Sequence, residues 1–162
     1  MPQEFDREKL PSEPERTFPA VPFDETMTEK FTVEVPLRYR DLDPFDHVNH
    51  AVYVSYLEAA RVAYMGELFD LAEDDLPFVV ANLEISYEQP ITLGDEPVVA
   101  LRVSELGKTS CTMDYEIRVD GDVVSTAQTV MVYVDPETNR SVPYPDDVRT
   151  RIAEYEGLES DV

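Results

Sequence analysis

The stretch NHAVYVSYLEAARVAYMGELF, residues 49–69, decides the fold. It contains no proline, and polar side chains interrupt a mostly apolar surface at only a few points: Ser55, Glu58, Arg61 and Glu67. A helix that is apolar on nearly all sides is normally buried by the elements around it. Asn49 is a suitable N-cap, because its side chain can accept a hydrogen bond from a free amide of the first turn. We therefore expect one long buried helix from His50 to Phe69.

Alternating patterns on both sides of this helix predict β-strands. Apolar and polar residues alternate from Phe31 to Arg40 before the helix, where Pro36 indicates a sheet edge. Four further strand patterns follow the helix, at residues 82–88, 99–103, 111–119 and 123–134. Asp120-Gly121 is typical of a tight hairpin, and residues 146–155 can form a short terminal helix. This order favours an α+β fold, a five-stranded antiparallel sheet wrapped around one long helix.

The remaining composition indicates one domain, with few accessory features. Residues 1–28 contain five prolines and no apolar period, so we expect an extended or disordered acidic arm before a domain at 29–162. Cys111 falls in an alternating strand pattern, which favours a small buried hydrophobe. No apolar run reaches the roughly 18 residues that span a bilayer, and the start lacks a signal-peptide pattern. A cytoplasmic protein without a membrane partner is expected.

The acidic charge is unusual. Asp and Glu number 35 against 13 Lys and Arg, which gives a formal net charge of −22. Residues 1–30 carry eight acidic and four basic residues, so most of the excess belongs to the domain. Nucleic acid is an unfavourable partner for such a chain. Concentrated salt screens the self-repulsion, so the charge indicates a halophilic, haloarchaeal source.

Candidate chemistry is concentrated in the loop of residues 41–49, between the first strand and the long helix. Asp41, Asp43, Asp46 and His47 all lie there. The first amides of a helix lack internal partners and lie at the positive end of its dipole, so they can bind a developing oxyanion. A carboxylate held opposite them could attack an acyl carbon or activate water.

The residues of this loop also carry a family resemblance. The pattern Asp-Pro-x-x-x-Val-x-x-x-x-Tyr, from Asp43 to Tyr53, resembles the active-site signature of the 4-hydroxybenzoyl-CoA thioesterase family, and His47-Val48-Asn49 resembles its acyl-CoA and acyl-carrier-protein branches. The similarity extends over residues 31–143. It implies the hotdog fold and hydrolysis of an acyl-CoA to a free acid and CoA, with no metal and no organic cofactor.

The resemblance also implies roles for individual residues. Asp43 would be the nucleophile or general base, the backbone amide of His50 would polarise the thioester carbonyl, and His47 and Asn49 would support them. Substrate contacts are expected from Tyr53, Lys108 and Ser110, in a homodimer or homotetramer with sites near the interface. Family members often have glycine where this chain has Asp46, which could raise the pKa of Asp43 or point into solvent; we favour solvent.

Several alternatives remain open at this point. Asp43 could be only a turn carboxylate, and the acidic loop matches no common metal-ligand spacing. A hotdog hydratase needs an imidazole two residues after the proline, where this chain has Asp46. A non-catalytic acyl-CoA-binding hotdog protein and an acyl-carrier-protein thioesterase are the other functions considered. Glu58 is best explained by an ion pair with Arg61 at three-residue spacing.

Overall fold

The computed structural model describes residues 31–70 and 76–159, and the predicted N-terminal arm lies outside these ranges. The main elements follow the expected order of one strand, a long helix, four strands and a terminal helix. They are β1 (Thr32–Glu34), α1 (His50–Leu68), β2 (Phe78–Tyr87), β3 (Val98–Leu106), β4 (Ser110–Val119), β5 (Asp122–Tyr133) and α2 (Asp146–Glu156). A short 3₁₀ turn, Tyr39–Asp41, precedes the loop that enters α1.

The five strands form one antiparallel sheet with the order β1-β3-β4-β5-β2. The predicted Asp120-Gly121 hairpin joins β4 to β5, and both of its residues have positive φ angles, 52° and 87°. Positive φ at both central positions is the turn geometry that matches the twist of paired strands. The α+β hotdog prediction is therefore confirmed, and β1 and β2 are the two sheet edges.

The helix α1 packs one face on the concave side of the sheet. Its fully buried residues include Leu57, Ala60 and Tyr64, which lie at helical spacing. Beside and opposite this face, Val54 and Val62 are 38% and 55% exposed, so the described residues leave part of the helix surface uncovered. The expectation of burial on nearly all sides was therefore too broad for one chain, because a sheet of five strands covers only one face of a helix.

The first predicted strand is shorter than its alternating pattern. Pairing with β3 stops after Glu34, and the backbone then leaves the sheet towards the 3₁₀ turn. Pro36 lacks the N–H group that continued pairing would need. The pattern was nevertheless right about position, because β1 is an edge strand.

The terminal helix α2 closes one side of the core through its last residue. A carboxylate oxygen of Glu156 accepts hydrogen bonds from the Tyr64 hydroxyl and from the Val103 N–H. A β-bulge interrupts the pairing of β3 with β4 next to Val103, so the carboxylate satisfies an amide at an irregular point of the sheet. Within the described ranges no helix is long and apolar enough to cross a membrane.

Candidate active site

The loop before α1 is a small hairpin. Leu42 and Val48 face each other across an antiparallel bridge, and the Asp43 N–H donates to the His47 carbonyl at 2.7 Å. The Asp46 N–H donates to the Asp43 carbonyl at 3.0 Å, which closes a turn through Pro44. Proline at the second position and aspartate at the first are typical of a type I turn. The segment thus has a defined backbone and presents its side chains in fixed places.

The Asp43 carboxylate is half-engaged in this turn. Its Oδ1 atom accepts the Phe45 N–H at 2.8 Å and lies 3.4 Å from the His47 amide nitrogen. The Oδ2 atom has no hydrogen-bond or ion-pair partner in the described part of the chain. The side chain is partly buried. The turn interpretation of Asp43 is therefore correct for one oxygen, and it leaves the second oxygen available for chemistry.

The start of α1 leaves one amide open. Asn49 caps the helix as predicted, because its Oδ1 accepts the Ala51 N–H at 2.9 Å. The Val52 N–H donates to the Asn49 carbonyl at 2.8 Å. The His50 N–H, in contrast, has no acceptor among residues 31–70 and 76–159. An open first-turn amide at the positive end of a helix is a suitable donor to an oxyanion.

Tyr87, at the end of β2, also contacts this helix start. Its hydroxyl donates to the His50 carbonyl at 2.9 Å, and its ring meets the Tyr53 ring edge-on with 4.9 Å between centroids. Tyr53 itself is only 3% exposed, so in the single chain its ring packs against Tyr87 from the buried side. No local sequence signal connects Tyr87 to a helix start 37 positions earlier, so this contact could not be predicted.

Asp41 anchors the hairpin to the helix. Its Oδ2 atom accepts the Arg38 N–H at 2.8 Å and the Tyr56 hydroxyl at 3.2 Å. Burial and the neighbouring Asp41 charge both raise the pKa of Tyr56 above its usual value, which keeps the hydroxyl a donor. The Val48 N–H holds the other side of the hairpin to the buried Ile91 carbonyl at 2.8 Å. Asp41 therefore has a structural role, because it holds the hairpin to the helix.

Asp46 occupies the position of the turn that has a left-handed backbone, with φ of 61°. A type I turn followed by a left-handed residue forms a common three-residue hairpin, in which glycine is preferred at that last position. Asp is among the few other residues that adopt this conformation readily. The side chain is exposed, as expected. The frequent glycine in the resembling family thus has a backbone explanation.

The remaining predicted residues lie further away. The His47 side chain is exposed and makes no hydrogen bond to a described residue. Lys108 and Ser110 lie at the β3–β4 hairpin, at the opposite end of the sheet. Ser110 pairs with Val132 and Tyr87 with Ser125, so seven residues of β5, about 23 Å, separate the two ends. One chain does not bring them to Asp43.

The two polar side chains predicted to form an ion pair on α1 do not meet. Glu58 is exposed, whereas Arg61 turns inward and donates to the Tyr115 hydroxyl at 3.4 Å. The prediction of an ion pair was wrong, because the partly open sheet face offers the guanidinium an acceptor of its own. No group of three or more His, Cys, Asp or Glu side chains in the described ranges is arranged to hold a metal ion.

Comparison with known families agrees with this geometry. The model of the thioesterase-like superfamily matches residues 37–152, a span that contains the hairpin, α1 and four of the five strands. The chain belongs to the thioesterase-like superfamily. Its match to the superfamily begins just before the 3₁₀ turn and ends inside α2.

Members of the superfamily with described roles cover most of the chain. The long-chain acyl-CoA thioesterase FadM of Escherichia coli is 27% identical over 124 residues, 74% of this chain and 94% of that protein. The acyl-CoA thioesterase YbgC of Haemophilus influenzae is 30% identical over 124 residues, 74% of this chain and 91% of that protein. A Thermus thermophilus thioesterase, solved with coenzyme A and Zn, is 37% identical, has a TM-score of 0.74, and covers 80% of this chain and 96% of its own.

Proposed function

We propose that this protein hydrolyses an acyl-CoA thioester to a free acid and CoA. One short segment carries the proposal. It contains a carboxylate with one oxygen held by an amide and the other without a partner among the described residues, and a helix-start amide that has no described acceptor. Asp43 supplies the first and His50 the second. The named activities of FadM, YbgC and the Thermus thioesterase support the same reaction. We also propose that the protein belongs to the 4-hydroxybenzoyl-CoA thioesterase branch of the superfamily.

In the proposed mechanism the thioester carbonyl accepts a hydrogen bond from the His50 N–H. Charge that develops on this oxygen during attack is stabilised by the amide and by the helix dipole. Asp43 Oδ2 either removes a proton from the attacking water or attacks the carbonyl carbon directly. The C–S bond then breaks, and the CoA thiolate leaves and takes up a proton. After direct attack the acyl group is held as a mixed anhydride with Asp43, and water then hydrolyses it to the free acid. Asn49 and the His47 backbone support the geometry, and no step requires a cofactor.

We further propose a homodimer or homotetramer that completes the CoA site. Among the described residues β2 pairs with β5 alone, and its Val79 and Val80 are 46% and 47% exposed. An exposed apolar edge of this kind is normally paired or covered. Antiparallel pairing of two β2 edges reverses the second sheet, so Lys108 of the partner subunit would lie at the same end as Asp43. The lysine would there meet CoA phosphates, with Ser110 of the partner subunit beside it.

The test is thiol release from a panel of acyl-CoAs at molar salt, the condition that suits so acidic a chain. We expect Asp43→Asn to lower kcat/KM at least hundredfold, because a general acid–base group usually contributes about 10²–10⁴-fold. Asp46→Asn is the matched control. It removes the same charge three residues away and keeps a residue that tolerates the left-handed backbone, so its activity should stay within twofold of the wild type.

Each alternative function has its own outcome. Undiminished release by Asp43→Asn would remove Asp43 from the mechanism, and binding of acyl-CoA without any release would favour the non-catalytic protein. Release from acyl carrier protein substrates alone would identify that branch. A single turnover in ¹⁸O-water tests for direct attack by Asp43. Product acid without label requires direct attack by Asp43 and later hydrolysis at its own carboxyl group, whereas a general base places the label in the product.

A further inference from the structure

Arg61 lies on the same side of α1 as the open His50 amide. The two residues are eleven positions apart, which is about three helical turns and about 16 Å along the axis. Val54 and Leu57 lie between them at helical spacing on this stripe. The stripe therefore begins at the amide proposed to bind the thioester carbonyl and reaches a cation through apolar side chains.

Contacts of β2 lead to both ends of this stripe. At one end the Tyr87 hydroxyl binds the His50 carbonyl. At the other end Leu83 pairs with Thr129, whose hydroxyl lies 3.0 Å from the Tyr115 hydroxyl, the acceptor of Arg61. Tyr87 and Leu83 are four residues apart, or about 13 Å. The strand and the helix thus lead from the same starting point to the same polar cluster.

The cluster leaves part of the Arg61 guanidinium available. Only one of its terminal nitrogens donates to a described residue, and no described carboxylate forms an ion pair with it. Its other nitrogens are accessible, because no Arg61 atom is both buried and unpaired. A partly buried cation with no counter-ion among the described residues is unusual in so acidic a chain. Its free N–H groups suit a carboxylate or another oxygen acceptor.

Apolar side chains line the path between the two ends. Ile85, next to Leu83 on the same face of β2, is half-buried, as is Leu83, and Val54 on the α1 stripe is 38% exposed. This arrangement can hold the methylene groups of an acyl chain, since burying apolar surface there is favourable. It also places the distal end of a medium-length chain beside the guanidinium.

We propose that Arg61, supported by Tyr115 and Thr129, selects acyl groups that carry an oxygen acceptor at their distal end, above all the CoA monothioesters of dicarboxylic acids. The proposal rests on the proposed function for the placement of the thioester carbonyl at His50. Arg61 is then a specificity-determining residue, and the reaction at Asp43 does not depend on it. An acyl chain that ends in a methyl group would leave the cation unpaired and partly desolvated, which disfavours binding.

The experiment compares pairs of medium-chain acyl-CoAs of equal length that end in a methyl group or a carboxylate. Affinity for each is measured by titration calorimetry in the Asp43→Asn background, alone and with Arg61→Met, and kcat/KM is measured in the corresponding proteins with Asp43 intact. Wild-type Arg61 should favour the carboxylate-ended ligand at least tenfold, since a hydrogen bond to a charged group is worth that much. Arg61→Met should abolish or reverse the preference, and Arg61→Lys should keep part of it.

Two controls separate specificity from general damage. Butyryl-CoA is too short to reach Arg61, so the ratio of its kcat/KM values in the two proteins measures general damage and is divided out of the ratios for the longer substrates. Arg140→Met removes an equal charge from an exposed loop position and should leave the preference unchanged. Tyr115 keeps its Thr129 partner in Arg61→Met, so the fold should persist.

The possible results have separate meanings. A wild type that binds both ligands equally, or an unchanged preference in Arg61→Met, overturns the role of Arg61 even if hydrolysis is fast. Absence of hydrolysis with a preference that still depends on Arg61 refutes the thioesterase function and supports the binding site.

Discussion

Substitutions of Asp46 test whether the backbone of the hairpin controls the site. At φ of 61° an ordinary L-residue costs about 1–2 kcal/mol, whereas glycine has no such cost. Glycine also increases the entropy of the unfolded chain, which reduces this stabilisation by about 0.4–1 kcal/mol. The difference between Asp46→Gly and Asp46→Ala should therefore be about 1 kcal/mol in favour of glycine. Asp46→Asn should lie close to the wild type, because Asn adopts the same backbone.

Thermal unfolding in molar salt measures this order. About 1 kcal/mol corresponds to roughly 3–5 °C in Tm for a domain of this size, so the expected order is Gly above Ala, with Asn near Asp. Activity should follow it for a structural reason: a distorted turn moves the Phe45 amide that holds Asp43 Oδ1. An Asp46→Ala protein as stable as Asp46→Gly would refute the backbone explanation. A gain that Asn and Gly share would instead indicate a charge effect.

Three further predictions concern the helix start and the core. Tyr87→Phe removes a hydrogen bond to the His50 carbonyl, which should lower the unfolding free energy by about 1 kcal/mol and lower kcat several-fold. Equal kcat in the two proteins would contradict this role of Tyr87. Asn49→Ala removes the helix cap and should lower the free energy of unfolding, measured by denaturant titration, by about 1 kcal/mol. An unchanged free energy would show that the cap contributes nothing. Burial is the largest cause that raises the pKa of both Tyr64 and Tyr115, so the folded state favours their protonated forms. The free energy of unfolding should therefore be constant below pH 10 and fall above it. Tyrosinate absorbance should rise together with unfolding, and a rise before unfolding would contradict this.

The element order and the helix start could be predicted because they depend on local signals. Periodicity located α1 and the four later strands, the Asn49 cap defined the helix start, and Asp120-Gly121 marked the β4–β5 hairpin. Each signal acts within a few residues. The alternating pattern overestimated the length of β1, because Pro36 lacks the N–H group that further pairing would need.

Contacts between distant parts of the chain could not be predicted. The bond from Tyr87 to His50 joins residues 37 positions apart, and that from Arg61 to Tyr115 joins residues 54 positions apart. Three-residue spacing predicted a Glu58–Arg61 pair, but a surface ion pair contributes little. An inward acceptor was therefore enough to change the direction of the side chain. The backbone conformation of Asp46 could have been predicted from the sequence, because the preceding Asp43-Pro44 is typical of a type I turn.

The hairpin before α1 satisfies most of its hydrogen bonds within itself and is tied to the rest of the chain mainly through Asp41 to Tyr56 and Val48 to Ile91. It therefore behaves as a module that can be transplanted. A protein engineer could exchange residues 43–46 for another turn of equal length, keep both ties and the His47–Thr92 bridge, and change the chemistry without redesigning the sheet. Natural variation in this segment is open to the same route, so new reactions on this scaffold require few coordinated changes.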